Sequence, residues 1–579
     1  MTRTALLLGM PFWIVDYPLH SLGYVAGIFT QAGWRCRIED FNIKVFRFMK
    51  TEKGDDWFSL DGILWDDDDP LAFYDEHRDD IEDALRAILE EGDFDLVAFS
   101  VSSSSADFAL EASSFIKSLV PHVPVLFGGP DCFPSEHGTR YFEEEGAPDI
   151  ICQGEAEICL PQFLGEFETT GDYRTSCKGF VYRAGEDLID TGEPEIPRFD
   201  RGLVHPDWSQ IDFSLYKQPG DFPTFLSRGC VNRCAFCSES NNFKRFRVRK
   251  PAEVMAEIKE SVRRVSRFTD RPTIHFSDSL INGNMRRLEE FCDLLLESGL
   301  TLQWTASARL RPEMTHPVLE KMKKSGCKEL HWGLESTCQK VLDLMNKNCR
   351  WDVAKRVLLD AHAVGIRNAI TLIVGFPGET VQDFVESALS VMEIRDCAFF
   401  YEPNMLSVEP NSPLHENYEK WGLQDNSCDD WITADERNDE EVRILRRFVM
   451  SNVVFNPTLA LKSLDDGDEL SGLDLNQFSV ASELAGMLYE MWMLAGKQTG
   501  AAKFLSTWNG RPVEDLEISH DEILYWRPSN VPGTIDLTGW FSTDKTSRQA
   551  KLVIVKHILE GFRQAYAHTH RSEVESVSL

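Results

Sequence analysis

The sequence predicts an α/β protein in three parts: an N-terminal doubly wound, Rossmann-like sheet, a central (β/α)6 partial TIM barrel, and a mainly helical C-terminal region. Short apolar runs separated by helical segments of about 10–15 residues imply parallel strands joined by crossover helices. That alternation occurs twice, before and after a stretch rich in proline and charge. Beyond residue 415 it gives way to helical and irregular sequence with tryptophan-rich patches.

In the first part TALLLG reads as a buried strand, SLGYVAGIFTQAG as an amphipathic helix ended by Gly33, and WRCRIEDFN as a second strand. An irregular acidic insertion follows. IEDALRAILEEG and DLVAFSVS then read as a helix and third strand, ALEASSFIKSLV as a helix, VPVLFGG as a fourth strand and DIICQG as a fifth. In an open sheet of this kind ligands sit beyond the carboxyl ends of the strands. Here those positions hold Ser100 to Ser105, Gly128-Gly129 and Gly154-Glu155. The unit is expected over 1–190, with GEPEIPRF, HPDW and KQPGDFP in a linker over 191–222.

The second alternation opens at 223 with TFLSRG and a helix over 251–264. The strands TIHFSD, LQWTAS, ELHWGLES, AITLIVGF and FFYEPNML follow, each pair separated by a helical segment. Six strands make the partial barrel, 223–415, and barrel chemistry belongs on the loops after the strands. Residues 416–579 are expected to close its open side and shape the pocket. Their aromatics, including Trp421, Trp431, Trp492, Trp508, Trp526 and Trp540, read as core before cage.

Composition excludes several classes. The net charge of −34 argues against a general nucleic-acid binder, because neutralising phosphate needs a basic face. Acidic runs such as Asp66 to Asp69 read as solvated surface. No run approaches the ~20 apolar residues of a membrane span. The apolar N-terminus lacks a small-residue cleavage site and reads as a strand, so a cytoplasmic protein is expected. Of the 14 cysteines, most (Cys36, Cys292 and Cys327 among them) are expected to be small buried hydrophobes.

The exception is SRGCVNRCAFCSES, Ser227 to Ser240, where Cys230, Cys234 and Cys237 stand as C-x3-C-x2-C with no fourth cysteine within reach. A structural zinc site takes four ligands. Thiolates also hold iron–sulfur cubanes, and three of them bind three irons and leave the fourth open to a chelating ligand. An iron–sulfur cluster is therefore the reading preferred over zinc or core cysteines.

With the aromatic Phe236 before its last cysteine, the motif resembles that of the radical S-adenosylmethionine (SAM) superfamily. FSDSLINGN (276–284), WTASARLRPEM (304–314), GCKELHWGLES (326–336), Met345-Asn346-Lys347 and GFPGET (375–380) follow in order. They resemble the elements after successive barrel strands in the cobalamin-binding subfamily, the class B radical SAM methyltransferases. The resemblance implies a [4Fe-4S] cluster on the three cysteines, with SAM chelating the open iron and cleaved by electron transfer to a 5′-deoxyadenosyl radical. Glycine lets backbone approach a ligand closely, which suits Gly333, Gly375 and Gly378. Glu335 and Ser336 suit a ribose or an amino group. Arg309 suits the SAM carboxylate or a barrel-rim salt bridge, and Asp278 a site role or a helix N-cap.

The N-terminal part resembles the cobalamin-binding domain of the same subfamily. The signs are SLG in the first helix, Asp40 ending strand two, Ser100 and Ser102 after strand three, Gly128 and Gly129 after strand four, and Gly154 and Glu155 after strand five. The serines and the double glycine would line the groove for cobalamin's nucleotide tail. A flavodoxin-like response domain is the alternative. Where a histidine-donating D-x-H-x-x-G would stand, the chain has Asp40 to Val45 with Asn42 at the histidine's place. No histidine ligand to cobalt is expected from that loop.

The activity implied is radical methylation of an unactivated carbon, less often phosphorus, on a small molecule or peptide. Methylcobalamin would donate the methyl group, a second SAM would restore it, and an external donor of the flavodoxin or ferredoxin type would supply electrons. The alternatives are oxidation, cyclisation or ring rearrangement without methyl transfer, and a cobalamin or redox sensor. A tRNA methylthiotransferase is disfavoured by the acidic charge and the lack of an N-terminal three-cysteine domain.

Overall fold

The computed structural model describes residues 2–53 and 70–454 except 12 and 402, together with 483, 487, 507, 508, 511 and 512. The run Thr4–Gly9 (β1) is buried from Ala5 onward, the mark of a central strand covered on both faces. It pairs in parallel with β2 (Arg35–Asp40) and β3 (Leu96–Ser100). β4 (Val125–Gly128) and β5 (Ile150–Cys152) extend the sheet in parallel. An antiparallel hairpin of β6 (Phe180–Ala184) and β7 (Asp187–Asp190) completes it. The order β2-β1-β3-β4-β5 is a doubly wound one in which the winding reverses between β1 and β3, the switch point where such sheets bind ligands.

Successive residues of a strand point to opposite faces, and two separate cores result. Leu6, Leu8, Val97 and Phe99 pack with α2 (Phe41–Lys53), α4 (Arg78–Glu90) and α5 (Ala106–Leu119), beside the short α3 (Pro70–Glu76). Ala5, Leu7, Leu96 and Ala98 pack with α1 (His20–Gln31) and α6 (Ala156–Thr170).

In the barrel, β8 (Phe222–Thr224), β11 (Thr273–Phe276) and β12 (Gln303–Ala308) pair in parallel. So do β13 (Cys327–Glu335), β14 (Arg367–Val374) and β15 (Phe399–Phe400). The order β15-β14-β13-β12-β11-β8 makes a curled parallel half-barrel sheet, with β16 (Asn404–Met405) pairing β14 beyond β15. The helices between strands are α7 (Pro251–Val265), α8 (Met285–Ser298), α9 (His316–Lys324), α10 (Gln339–Leu344), α11 (Trp351–Ala363) and α12 (Val381–Met392), and α13 (Glu440–Val454) follows. A two-residue antiparallel pair, β9 (Ser227–Arg228) with β10 (Arg247–Val248), brackets the segment that carries the three cysteines.

By Cα proximity the chain divides into two compact units. One holds residues 1–229, 242–306 and 324–327, the other 230–241, 307–323 and 328–579. Trp431 is wholly buried in the second, and Trp421 packs edge-on against Phe376 at 5.6 Å. Asp66 to Asp69, Trp492, Trp526, Trp540 and the side chain of Trp508 lie outside the described residues. Among the described residues no helix is long and apolar enough to cross a membrane.

Candidate functional site

The cysteine loop is held by a second loop, residues 345–348. Ala235 N–H donates to the Met345 carbonyl at 2.9 Å, Asn346 Nδ2 to the Arg233 carbonyl at 2.6 Å, and Asn232 Nδ2 to the Lys347 carbonyl at 3.0 Å. Asn346 and Asn348 both adopt positive φ, 53° and 51°, in the left-handed region that asparagine tolerates better than most residues. Arg309 donates to Asn232 Oδ1 at 2.5 Å and to the Asn348 carbonyl at 2.7 Å, so its guanidinium joins the two loops. Ala235 and Phe236 anchor in an apolar cluster with Met345, Phe376, Leu414 and Trp431.

Within this frame Asn232 N–H donates to Cys230 Sγ at 3.4 Å, the contact by which a backbone amide stabilises a thiolate. Burial pushes the Cys234 thiol up, and the Cys237 thiol to about 12. Both therefore stay protonated at neutral pH until a metal takes the proton's place. Among the described residues no three His, Cys, Asp or Glu side chains converge on a single ion. A cubane takes each thiolate at a separate iron and does not ask for that convergence. Three thiols on one braced loop, with an amide aimed at one of them, fit such a cluster.

Glu335 ends β13 at a shift in the ladder and adopts φ 68°. Its Oε1 lies 2.9 Å from Lys347 Nζ and its Oε2 accepts from Thr371 Oγ1 at 3.3 Å. Burial works against the Lys347 charge, but Glu335 and Cys234 outweigh it and hold its pKa above the usual lysine value. Ser336 is turned elsewhere: its hydroxyl meets Ser387 Oγ at 3.3 Å and accepts from Cys338 N–H. Gly375, at φ 80°, is packed so closely that a Cβ there would come 2.5 Å from Arg443. Its N–H donates to Glu379 and its carbonyl accepts from Asn438 Nδ2, each at 2.8 Å. Thr380 and Asp383 form a reciprocal capping box at the start of α12.

Asp278 is not the N-cap of the next long helix; Asn284 caps α8. The Asp278 carboxylate accepts from Leu226 N–H at 2.9 Å and from both N–H and Oγ–H of Ser227. It thereby fixes the strand end just before the cysteine motif, and burial raises its pKa to about 6.

The six N-terminal candidates, Ser100, Ser102, Gly128, Gly129, Gly154 and Glu155, all line one cavity of about 360 Å³ at the carboxyl ends of β1, β3, β4 and β5. Most of its wall is apolar, from Leu7, Tyr24, Ile28, Leu126 and Phe225 among others. Gly129 (φ 121°) is fixed by packing, because a Cβ there would lie 2.4 Å from the Val101 carbonyl. Gly128 is not: a Cβ there would meet nothing closer than 3.6 Å, and the residue lines the cavity. Among the described residues, two buried polar atoms of the wall, His20 Nε2 and Tyr24 Oη, find no hydrogen-bond partner. Burial, with Arg228 and Arg249 nearby, lowers the His20 pKa to about 3 and keeps the imidazole neutral. Arg228 pairs with Glu155 and Glu157, and Arg247 Nη2 lies 2.6 Å from Glu155. An apolar slot with unpaired polar atoms and a bare glycine fits a bulky heterocyclic base better than a phosphate.

Sequence reasoning missed His20, Tyr24, Phe225 and Arg228 in this wall, and Asn232 and Lys347 at the cysteine loop. Spacing alone gives no sign of the first four, whereas Asn232 lies between the first two cysteines and Lys347 directly follows Met345-Asn346. Asn42 is 2% exposed. Its amide bridges α2 to the loop after β1, accepting from Trp13 N–H and donating to the Trp13 and Ile14 carbonyls.

Residues 224–391 match the radical SAM superfamily model. An anaerobic magnesium-protoporphyrin IX monomethyl ester cyclase of Cereibacter sphaeroides is 27% identical over 312 residues, 51% of this chain; the chain spans only 48% of that relative. The cytidylyl-2-hydroxyethylphosphonate methyltransferase of Streptomyces wedmorensis is 23% identical over 64% of this chain and 72% of its own length. Among solved structures, the cobalamin-dependent SAM radical enzyme OxsB, with aqua-cobalamin and SAM bound, superposes with a TM-score of 0.61 at 14% identity, covering 99% of this chain and 80% of that one. Residues 224–391 are thus a radical SAM domain, set in a chain with the fold of the cobalamin-dependent radical SAM enzymes.

Proposed function

We propose that this protein is a cobalamin-dependent radical SAM C-methyltransferase acting on an unactivated carbon of a small molecule or peptide. The observation that carries the reading is the braced three-cysteine loop within the radical SAM domain of a chain whose N-terminal sheet opens into an apolar cavity at its switch point. Cys230, Cys234 and Cys237 would hold a [4Fe-4S] cluster, and the cavity beside Gly128 and Gly129 would take the nucleotide base of cobalamin. Bound there, these cofactors supply one-electron cleavage of SAM and a transferable methyl group.

The residues of the chain do the rest. Asn232 and the 345–348 loop hold the three thiols in place, and Arg309 and Glu335 offer a cation and a carboxylate for the carboxylate and amino group of SAM. Asp278 locks the strand end that leads into the motif. The apolar walls of the cavity keep water from the base.

A second reading, cyclisation or oxidation without methyl transfer, is favoured by the similarity to the magnesium-protoporphyrin ester cyclase. Product mass separates the two. The purified protein, reconstituted anaerobically with cluster and cobalamin, is expected to yield a product heavier by one methylene, with 5′-deoxyadenosine and S-adenosylhomocysteine in roughly equal amounts. A product lighter by two hydrogens, with deoxyadenosine alone, overturns methylation in favour of the second reading. Replacing all three cysteines by alanine is expected to abolish SAM cleavage and iron binding together.

A further inference from the structure

Lys347 braces the cysteine loop through its backbone carbonyl, but its side chain has no part in the binding roles above. The side chain is 12% exposed and sits between two asparagines held at positive φ. Nζ lies 2.9 Å from Glu335 Oε1 and 5.6 Å from the ring centroid of Phe236, the residue between Ala235 and Cys237. The lysine's own carbonyl is tied to the cysteine loop through Asn232. The result is a buried ion pair lodged against the cysteine loop.

We propose that the Lys347–Glu335 pair sets the reduction potential of the cluster, the lysine favouring the reduced state and the glutamate opposing it. This rests on the cluster reading under Proposed function. In the reduction concerned, one electron arrives from an external low-potential reductant; no bond forms or breaks and no proton moves. The site becomes more negative by one charge. A fixed cation in surroundings of low dielectric stabilises that change, and a fixed carboxylate resists it. A lysine serving only to brace the loop would show no such sign rule, since loosening the loop in either single variant would disturb the cluster in the same sense.

The test is a dithionite titration of the reconstituted full chain without SAM, followed by electron paramagnetic resonance, with iron and sulfide assayed on each sample. Wild-type protein lacking a cluster overturns the cluster reading itself. If the cluster is present, K347M is expected to lower the ratio of reduced to oxidised cluster at fixed potential by about tenfold, which for a one-electron couple is about 59 mV. E335Q is expected to raise it, K347M/E335Q to fall between the two, and K347R to stay near wild type. Full iron content with unchanged potentials in both single variants overturns the inference and leaves the cluster reading standing. Shifts of the same sign in both overturn it as well. If K347M fails to hold iron, the direction of the E335Q shift decides: upward supports the pair as a tuning device, and downward or none refutes it.

Discussion

At the scale of single residues, adjacent glycines do different work. Gly129 is demanded by the fold, having φ 121° and a neighbouring carbonyl where its Cβ would go. Gly128 is free of that demand and borders the cavity. Gly129→Ala is expected to lower stability by about 2 kcal/mol or more, from strain and steric overlap, seen as a drop in Tm of the apoprotein. Gly128→Leu is expected to leave the apoprotein's Tm nearly unchanged and to weaken cobalamin binding on the order of tenfold or more, measured by equilibrium dialysis. Equal effects of the two substitutions on folding would contradict the assignment of the cavity. The sequence showed two glycines after a strand; only the backbone shows which one the protein itself requires.

Among elements, α13 is coupled to the GFPGET turn through charge. Arg446 bonds Glu379 at 2.8 Å and Glu483 at 2.6 Å, and all three side chains are nearly inaccessible. Burial pushes the Glu379 carboxyl up, and its pKa stays raised despite Arg446 and the Gly375 N–H. Arg446→Met would leave two buried carboxylates without their cation, at a cost of ~3–5 kcal/mol, and is expected to shift the urea midpoint strongly downward. R446M/E379Q/E483Q is expected to recover much of that loss. Element by element, the parallel strands were legible because each is an apolar run between helical repeats. The β6–β7 hairpin was not read: its strands are short, and Leu188 and Ile189 of β7 are exposed, so apolarity there did not signal a core. α2 was missed because it starts at the very next residue after β2, leaving no turn signal. The three cysteines stand out in the sequence by their spacing. Asn346, Lys347 and Asn348, which brace them, meet the loop only through long-range contacts, which spacing does not encode.

At the scale of the molecule, the seven-stranded sheet ends in strands that differ in kind. β2 is largely buried, whereas all four residues of β7 are exposed. An open strand offers its unpaired backbone to any other chain, and proteins blunt such borders with short strands and charge. β7 is four residues long and carries Asp187 and Asp190 at its two ends, around the exposed Leu188 and Ile189. Carboxylates so placed are expected to act as gatekeepers against self-association, and the net charge of −34 adds mutual repulsion between copies. Asp187→Val with Asp190→Val would turn this border into an uninterrupted β-branched and apolar strip. The double variant is expected to scatter light at concentrations where the wild-type protein stays clear, and more so as salt screens the remaining charge. If it stays clear, the shortness of the strand suffices and its acidic ends are dispensable to solubility.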